Sequence, residues 1–534
     1  MQVLTADQAT ALIHDGDTIV IGGSGSGHAI PEALIEAVER RFLATAAPRS
    51  ITSLHPVGLG DRAHRGISHF AHPGLLKRVV CGTVVDAPAV AEMANRNEIE
   101  AYTLPQGALS QLMREIAAGR PGLLTHVGLH TFVDPRISGG KQSTRCTDDL
   151  VELVELKGRE WLFYKPFDID VAFLRGTTAD QDGNISMEDE AVFGEMLSMA
   201  QATRRCGGIV IVQVKRLAQR GTLPGKTVKI PGMLVDVVVI EPDQRQTYQT
   251  RYDPAFAGQL RIPLGSFPTL PLDERKIVAR RCAMELEADA ICNVGSGICT
   301  GIGIVAAEEN ILEHIVLTNE QGLIGGAPAN GLDAGASRNY WAMIDQPYQF
   351  DFYDGGGLDL AFLSAVEVDA QGSVNISRFA NRVIGIGGFV NISQNAHKMV
   401  FGGTFTAGGL KIATGDGQLA IVTEGKHRKF VEKLEQVSYS GPYGRERGQT
   451  TLFVTERAVF RASSDGLELI EIAPGIDLER DILSQMGFRP LISPALRTMD
   501  ERIFRAGPMG IARQLAGKAR APHPRLAAGN GAAA

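Results

Sequence analysis

The chain has few cysteines, and their placement excludes two classes of protein. Six cysteines occur among 534 residues, and no two of them form a C-x-x-C pair. Zinc clusters and disulfide frameworks need closely spaced or paired cysteines, so neither is expected, and scattered thiols suit a reducing compartment. The six positions are Cys81, Cys146, Cys206, Cys282, Cys292 and Cys299.

Three further absences narrow the class of protein. No apolar run approaches the ~20 residues that span a bilayer. The N-terminus lacks the basic stretch and apolar core of a signal peptide. No long basic stripe is present and the net charge is −7, which disfavours a nucleic-acid surface. These absences predict a cytoplasmic protein that binds neither membrane nor nucleic acid.

Common nucleotide, hydrolase and metal motifs are also missing. The glycine turns at 22–25 and 295–297 do not complete G-x-G-x-x-G, and neither a P-loop nor a G-x-S-x-G elbow occurs. Four histidines cluster in one stretch, but their spacing fits no ligand pattern and no paired carboxylate accompanies them. We therefore predict no metal at these positions: His55, His64, His69 and His72.

Two pairs of similar segments predict an internal duplication. Residues 17–25 (DTIVIGGSG) match residues 289–297 (DAICNVGSG) at an offset of 272, which is 289 − 17. Residues 170–174 (DVAFL) match residues 359–363 (DLAFL) at an offset of 189, which is 359 − 170. Strand patterns alternate with helical ones, and the β-branched run at 208–214 suits a sheet covered on both faces. The sequence predicts two tandem related α/β domains with mostly parallel sheets.

Proline and glycine content predicts the boundaries of these domains. We assign residues 1–265 to the first domain, 266–273 to a proline-rich linker and 274–516 to the second domain. Residues 517–534 are rich in alanine, glycine and proline without periodicity, so we predict a disordered tail.

One carboxylate, Glu320, follows an apolar run and precedes glycines. The run Ile315-Val316-Leu317 predicts a buried strand, so Glu320 would lie at the carboxyl end of a strand, where open α/β sheets carry their chemistry. The alternative is a solvated acid that opens a loop. Two other segments also allow two interpretations each. Residues 351–359 form a tight connection or a binding loop, and residues 385–389 form a plain turn or an oxyanion site.

These residues together resemble the family I coenzyme A transferases, and in particular the single-chain acetate/propionate type. The likeness covers residues 3–515, and the family implies two halves of related fold with the active site at their interface. The segments that carry the resemblance are 104–107, 124–136, 319–322, 351–359, 385–389 and 437–441.

The resemblance implies a role for several residues. Glu320 would be the catalytic nucleophile, and the Gln106 amide and the Gly388 N–H would stabilise the oxyanion. Glycines would line the path of coenzyme A, at Gly387, Gly402 and Gly403. Related chains often have proline where this one has Cys299. This difference bears on the backbone path after the first strand of the second half and on the acyl pocket.

The resemblance also implies a reaction and partners. Coenzyme A would move between short-chain acyl-CoA thioesters and free acids of the acetate, propionate and butyrate class, by a ping-pong mechanism through a glutamyl-CoA thioester. Coenzyme A is then a substrate, no other cofactor is required, and a homodimer or homotetramer is expected. The alternatives are an acyl-CoA hydrolase, a 3-oxoacid CoA-transferase and a catalytically silent CoA-binding protein.

Overall fold

The structure, a computed structural model, describes residues 1–263 and 269–516. The predicted linker at 266–273 therefore lies only partly within the described residues, and the predicted tail at 517–534 lies outside them. The helix Glu274–Ala283 follows the linker, and the side chain of Asp273 caps this helix by accepting hydrogen bonds from the backbone N–H groups of Arg275 and Lys276. The domain boundaries themselves stay a prediction.

The first half is built on a sheet of eight parallel strands within the described residues. Most of its central strands are buried along their whole length, because helices cover both faces of the sheet. The order across the sheet is Gln2–Leu4, Val237–Ile240, Ile209–Val214, Val171–Arg175, Thr18–Ile21, Ile51–His55, Leu76–Cys81 and Glu100–Thr103.

The second half is built on a ten-stranded mixed sheet whose centre is parallel. The two ends of the sheet contain antiparallel pairs. The order across the sheet is Ala342–Met343, Leu323–Ile324, Val316–Thr318, Ile291–Val294, Leu360–Leu363, Lys398–Gly402, Thr450–Val454, Ala458–Ser463, Gly466–Ile472 and Leu491–Thr498.

Both halves also contain smaller sheets. Two of them, of four and three strands, belong to the first half: Arg216–Ala218, Thr178–Asp180, Ile185–Ser186, Val228–Ile230; and Leu123–Thr125, Arg159–Tyr164, Val151–Leu156. The paired ribbons of the second half are Ala327–Pro328 with Ser337–Arg338, Glu367–Val368 with Val374–Asn375, Arg378–Phe379 with Arg382–Val383, Thr406–Ala407 with His427–Arg428, and Lys411–Gly415 with Gln418–Thr423.

Eleven α-helices occur among the described residues, and none of these is long and apolar enough to cross a membrane. One of the hydrophobic clusters passes from the helix Gln106–Ala117 in the first half to the helices Gln346–Asp354 and Phe389–Asn395 in the second. The helices are α1 Ala6–Thr10, α2 Glu32–Thr45, α3 Pro88–Asn95, α4 Gln106–Ala117, α5 Met196–Arg205, α6 Glu274–Ala283, α7 Gly301–Glu308, α8 Gln346–Asp354, α9 Phe389–Asn395, α10 Gly441–Glu446 and α11 Ala512–Ala516.

The predicted duplication is present, with a correction of one residue in its offset. The strands of each repeated pair are parallel neighbours in both halves. Gly22 N–H donates to Phe173 O at 2.9 Å, and Gly295 N–H donates to Phe362 O at 2.8 Å. Gly22 and Gly295 are therefore equivalent, and the offset is 273 (295 − 22) rather than 272. The extra glycine of the first turn caused the misalignment.

Backbone hydrogen bonds join the two halves where the strands of the first sheet end. The N–H groups of Ile386 and Gly387 donate to Gly82 O at 2.7 and 2.8 Å. In return, Gln106 N–H donates to Gly387 O at 2.9 Å. A Cβ atom on Gly385, whose φ is +94°, would lie 2.5 Å from Thr83 Cα. The glycine-rich loop of the second half is thus fixed against the first half.

Candidate active site

Glu320 lies at the tip of a tight hairpin. The strand Val316–Thr318 ends just before it, and the chain returns antiparallel as Leu323–Ile324. Asn319 closes the turn, since its N–H donates to Leu323 O at 3.1 Å and its Oδ1 accepts from Leu323 N–H at 3.2 Å. The carboxylate is therefore presented at the carboxyl end of a parallel strand, as the apolar run predicted.

Gly322 is the residue that makes this hairpin possible. Its φ is +99°, and a Cβ atom built there would lie 2.0 Å from the carbonyl oxygen of Ile344. Gly322 O in turn accepts a hydrogen bond from Ile344 N–H at 2.9 Å. Only glycine fits both the backbone conformation and the close approach of the neighbouring chain.

The Glu320 carboxylate is partly buried and has few polar neighbours. Gln321 Nε2 donates to Glu320 Oε1 at 3.3 Å and also to Ser24 Oγ at 3.3 Å, which links the carboxylate to the first half. Burial raises the pKa of Glu320 above its ordinary value, although hydrogen bonds from the backbone, Gln321 and Asn293 oppose the shift. A carboxylate in this setting is poorly solvated, which favours nucleophilic attack.

Glu320 faces a cavity of about 350 Å³ that both halves of the chain line. Apolar side chains such as Val57, Val85 and Phe389 form much of its wall. Among the described residues that line it, the charged ones are Glu320, Arg62 and Asp86. Its interfacial position and apolar wall are typical of a site for a small acyl group.

Gln106 reaches this cavity from the first residue of α4. Its Nε2 donates to Gln346 Oε1 at 3.1 Å, and Gln346 Nε2 donates to Ser110 Oγ at 3.4 Å. One N–H of the Gln106 amide is engaged in this way, and the second has no acceptor among the described residues. Gln346 belongs to α8 in the second half, so the two halves share the positioning of this amide.

Gly387 and Gly388 also line the cavity, next to Gln106. Gly388 directly precedes α9, and its N–H donates to no acceptor in the described part of the chain. A Cβ atom on Gly387, whose φ is +51°, would lie 3.5 Å from Gln106 Oε1. The structure therefore brings Glu320, Gln106, Gly387 and Gly388 together around one cavity.

Gly402 and Gly403 do not line this cavity. A Cβ atom on Gly402 would lie 3.1 Å from Cys299 Sγ and 3.2 Å from Cys282 Sγ, inside the hydrophobic core. Gly403 instead lies close to Lys429. The geometry thus gives Gly402 a packing role and does not support the predicted coenzyme A path there. Cys299 points into the core with Gly402, so its thiol does not enter the acyl cavity.

The segment 351–359 is the end of a helix and a connection rather than a loop that binds substrate. Asp354, the last residue of α8, is partly buried and accepts hydrogen bonds from Asn391 Nδ2 at 3.0 and 3.1 Å and from Gln111 Nε2 at 2.9 Å. Asn391 Oδ1 accepts from Gly107 N–H at 3.0 Å. This network holds α9 and α4 in place on either side of the cavity.

Sequence reasoning missed the polar residues that support the site. Asn293 lies in the strand Ile291–Val294, opposite Thr318 in the strand that leads to Glu320, and its Nδ2 donates to Tyr353 Oη at 3.3 Å. Tyr353 Oη is 2.8 Å from Thr318 Oγ1. The only sequence signal for Asn293 was its position just before the glycine turn at 295–297. No sequence signal indicated the support from Gln346 and Tyr353, because both residues belong to a helix that is distant in sequence from Glu320.

A glutamate at a strand end, in an apolar interfacial cavity beside a free backbone N–H and an amide, has the groups that acyl transfer through a carboxylate would need. Comparisons with known proteins show the family to which the chain belongs. The family model described as Coenzyme A transferase matches residues 3–241.

Two characterised relatives match nearly the whole chain. Acetate CoA-transferase YdiF of Escherichia coli (strain K12) is 45% identical over 510 residues, which cover 95% of this chain and 96% of that protein. Caffeate CoA-transferase of Acetobacterium woodii is 45% identical over 509 residues, which cover 94% of this chain and 97% of that protein.

Solved structures of related proteins match the fold of this chain. The apoenzyme of the acyl-CoA transferase YdiF from Escherichia coli O157:H7 superposes with a TM-score of 0.92 at 44% identity, over 95% of this chain and 97% of that one. Its thioester complex with CoA superposes with a TM-score of 0.90. The chain therefore belongs to the coenzyme A transferase family. It transfers coenzyme A between acyl-CoA thioesters and carboxylic acids, so the family and fold predicted from the sequence are confirmed.

Proposed function

We propose that Glu320 is the nucleophile of a ping-pong CoA transfer between short-chain acyl-CoA thioesters and free short-chain acids. The observation that carries this proposal is the placement of the Glu320 carboxylate on a hairpin tip, facing a cavity that also contains the Gly388 N–H and the Gln106 amide. The thioester complex with CoA that is known for the related YdiF supports a covalent route.

The transfer runs in balanced steps. Glu320 attacks the thioester carbonyl of the donor and forms a mixed anhydride, which releases the CoA thiolate. The thiolate attacks the Glu320 carbonyl of the anhydride, giving a glutamyl-CoA thioester and the free acid. A second acid then reverses both steps and leaves as the new acyl-CoA. Because the energy of the thioester is conserved throughout, these steps require neither ATP nor a cofactor other than the substrate coenzyme A.

Each addition to a carbonyl forms a tetrahedral oxyanion. We assign its stabilisation to the Gly388 N–H, which has no acceptor among the described residues, and to the remaining N–H of the Gln106 amide. Loss of one such donor typically costs about 10²–10³ in rate. Gly387 lies next to Gln106, and its φ of +51° is a backbone conformation that favours glycine.

The acceptor acids are those of the acetate, propionate and butyrate class. The apolar wall formed by Val57, Val85 and Phe389 suits an aliphatic chain, and a relative at 45% identity is an acetate CoA-transferase. A second relative of equal identity is a caffeate CoA-transferase, so aryl-acrylic acids form the competing class. Rates with acetate, propionate, butyrate and caffeate under identical conditions separate the two classes.

The covalent step is tested by intact-protein mass after mixing with acetyl-CoA or propionyl-CoA, without an acceptor acid. We expect a CoA adduct that maps to Glu320, is discharged by acetate and is absent in Glu320→Ala. Steady release of CoA without an adduct would instead identify a hydrolase. A Glu320→Ala variant with normal turnover would overturn the assignment.

We further propose that the protein acts in the cytoplasm as a homodimer or homotetramer. The six cysteines are all free in the structure, which supports a reducing compartment. Light scattering coupled to size-exclusion chromatography measures the assembly directly, and a monomer at assay concentration would contradict this part of the proposal.

A further inference from the structure

Two charged side chains in the wall of the active-site cavity have no part in the proposed transfer steps. They are Asp86 and Arg62, and both belong to the first half of the chain. Asp86 is 7% exposed, so its carboxylate lies almost entirely within the protein, in a cavity wall that is largely apolar. Because a carboxylate is costly to bury, its presence in this wall needs a physical reason.

The segment that carries Asp86 is bonded to the glycine-rich loop of the second half. Val84 N–H donates to Ile384 O at 3.0 Å, and the hydroxyl of Thr83 donates to the same oxygen at 2.6 Å. Residues 385–388 of that loop line the cavity. Asp86 is therefore fixed relative to the loop that carries the proposed oxyanion donor.

The neighbouring loop of the first half fits closely around Asp86. A Cβ atom on Gly58 would lie 2.5 Å from Asp86 Oδ2, and one on Gly60 would lie 2.1 Å from Asp86 O. Arg62 has a φ of +64°, which is uncommon for a residue with a side chain, and its N–H donates to Asp86 O at 2.8 Å. These close approaches leave the Asp86 side chain little freedom to move away from the cavity wall.

Arg62 compensates the charge of Asp86 only in part. Its Nε donates to Asp86 Oδ1 at 3.3 Å, and its side chain is 65% exposed, so that water screens its charge. Asp86 Oδ2 accepts no hydrogen bond within the part of the chain that the structure describes. Burial raises the pKa of Asp86, and the attraction of Arg62 opposes that rise. The ionised carboxylate thus adds an incompletely compensated negative charge to the cavity.

We propose that Asp86 is a specificity-determining residue that excludes acids with a second carboxylate from the acyl site. This inference rests on the proposed function, because it takes the cavity at Glu320 as the place where the acyl group binds. A distal carboxylate would meet the charge of Asp86 in a space with largely apolar walls, where repulsion is weakly screened. A methyl group at the same place is uncharged and packs against the apolar side chains.

Arg62 acts in the opposite direction. Its guanidinium reduces the negative charge of the wall, so the loss of Arg62 should strengthen the exclusion of a second carboxylate. If Asp86 is made neutral, Arg62 is left beside the cavity without its acidic partner and attracts a distal carboxylate. The two residues therefore predict opposite changes in acid preference, which a general loss of stability would not produce.

Butyrate and succinate are the probes, because succinate has a carboxylate where butyrate has its methyl group. Each serves as the acceptor acid with acetyl-CoA as the donor, and the ratio of kcat/KM for butyrate to kcat/KM for succinate is measured. The ratio does not depend on how much of a variant is folded, since one preparation gives both values. We expect the wild type to favour butyrate by at least about tenfold.

Three variants test the assignment. Asp86→Asn should reduce the ratio by about tenfold or more, and Arg62→Gln should raise it. Asp149→Asn changes a carboxylate that is 73% exposed and outside the cavity lining, so it should keep the ratio of the wild type. A wild type that uses succinate as readily as butyrate, or an unchanged ratio in Asp86→Asn, would overturn the proposal. A shift in the same direction in both cavity variants would overturn it as well.

The intact-mass experiment separates this proposal from the assignment of Glu320. If Asp86→Asn still forms the CoA adduct at Glu320 from acetyl-CoA while its ratio is unchanged, the role of Asp86 alone is wrong. If the wild type forms no adduct, the proposed function itself fails. Thermal unfolding shows whether each variant folds, and Arg62→Gln, at an exposed side chain, provides the test if Asp86→Asn does not fold.

Discussion

A carboxylate that attacks a thioester must be ionised and is more reactive when it is poorly solvated, so the burial of Glu320 acts in two opposing directions. Its surroundings in the cavity raise its pKa, chiefly through burial. Hydrogen bonds from its own backbone and from Gln321 limit that rise. Burial therefore removes solvation from the Glu320 carboxylate, while these hydrogen bonds favour its ionised form.

The pH dependence of turnover follows from the raised pKa of Glu320. Because only the ionised carboxylate attacks, kcat/KM for acetyl-CoA should fall as pH falls through the raised pKa of the free enzyme. The acid limb should therefore lie above the ordinary glutamate pKa of 4.5. Steady-state rates from pH 4 to 8 measure it, with circular dichroism to confirm folding. An acid limb at or below the ordinary value would contradict the role of burial.

Gln106 offers a second test at the scale of a single side chain. Gln106→Ala removes one proposed oxyanion donor and should reduce kcat by about 10²–10³. Gln346→Leu keeps Gln106 but removes the acceptor that orients its amide at 3.1 Å, so a smaller loss is expected. Stopped-flow rates of CoA release measure both variants. Equal rates for Gln106→Ala and the wild type would remove Gln106 from the assignment.

At the scale of an element, the hairpin at 316–324 depends on one glycine. Gly322→Ala places a Cβ atom 2.0 Å from Ile344 O, at a φ of +99°. We expect a loss of at least about 2 kcal/mol in stability and a displaced Glu320, with turnover reduced by about 10²-fold. Thermal unfolding and kcat measure the two effects.

Gly16→Ala provides the matched control for this substitution. Gly16 also has a positive φ, of +86°, but a Cβ atom there would meet nothing within 4 Å. This variant should show only the cost of the backbone conformation, about 1 kcal/mol, with unchanged turnover. If Gly322→Ala behaved like Gly16→Ala, the close approach to Ile344 would not be the reason for a glycine in the hairpin.

The elements that the sequence predicted well are those that a local pattern specifies. The apolar run before Glu320, the β-branched run at 208–214 and the glycine turns all lie where strands or turns occur. The role of residues 351–359 was not specified locally, because Asp354 is held by hydrogen bonds from Asn391 and Gln111, which belong to other helices. The carboxylate partners of His69 were not predicted for the same reason, because they belong to a helix that is distant in sequence.

At the scale of the whole molecule, a buried network of side-chain hydrogen bonds crosses from one half to the other. It runs from Gln106 to Gln346, then to Ser110 and to Glu195, which accepts from Ser110 Oγ at 3.4 Å. The second oxygen of Glu195 is buried without a hydrogen-bond partner among the described residues. No sequence pattern predicts such a network, because its members come from three helices and from both halves.

The network of hydrogen bonds that ends at Glu195 makes the stability of the protein depend on pH. Burial raises the pKa of Glu195 from 4.5 to about 8, so the folded state holds a proton that the unfolded state releases near pH 4.5. Stability from this group is therefore fully present below about pH 4.5 and is lost as pH rises to about 8, by up to about 5 kcal/mol. Glu195→Gln removes the titrating group while it keeps the size of the side chain.

We expect Glu195→Gln and the wild type to unfold at similar temperatures at pH 5, and the variant to unfold at a higher temperature at pH 9. Calorimetric scans at pH 5, 7 and 9 measure this difference, and Glu92→Gln at an exposed site of α3 serves as the control. Asp354 also has a raised pKa, of about 7, but it titrates in both proteins and cancels in the comparison. A difference that stays constant with pH would show that Glu195 is ionised in the folded protein throughout, and that the network across the interface carries a buried charge.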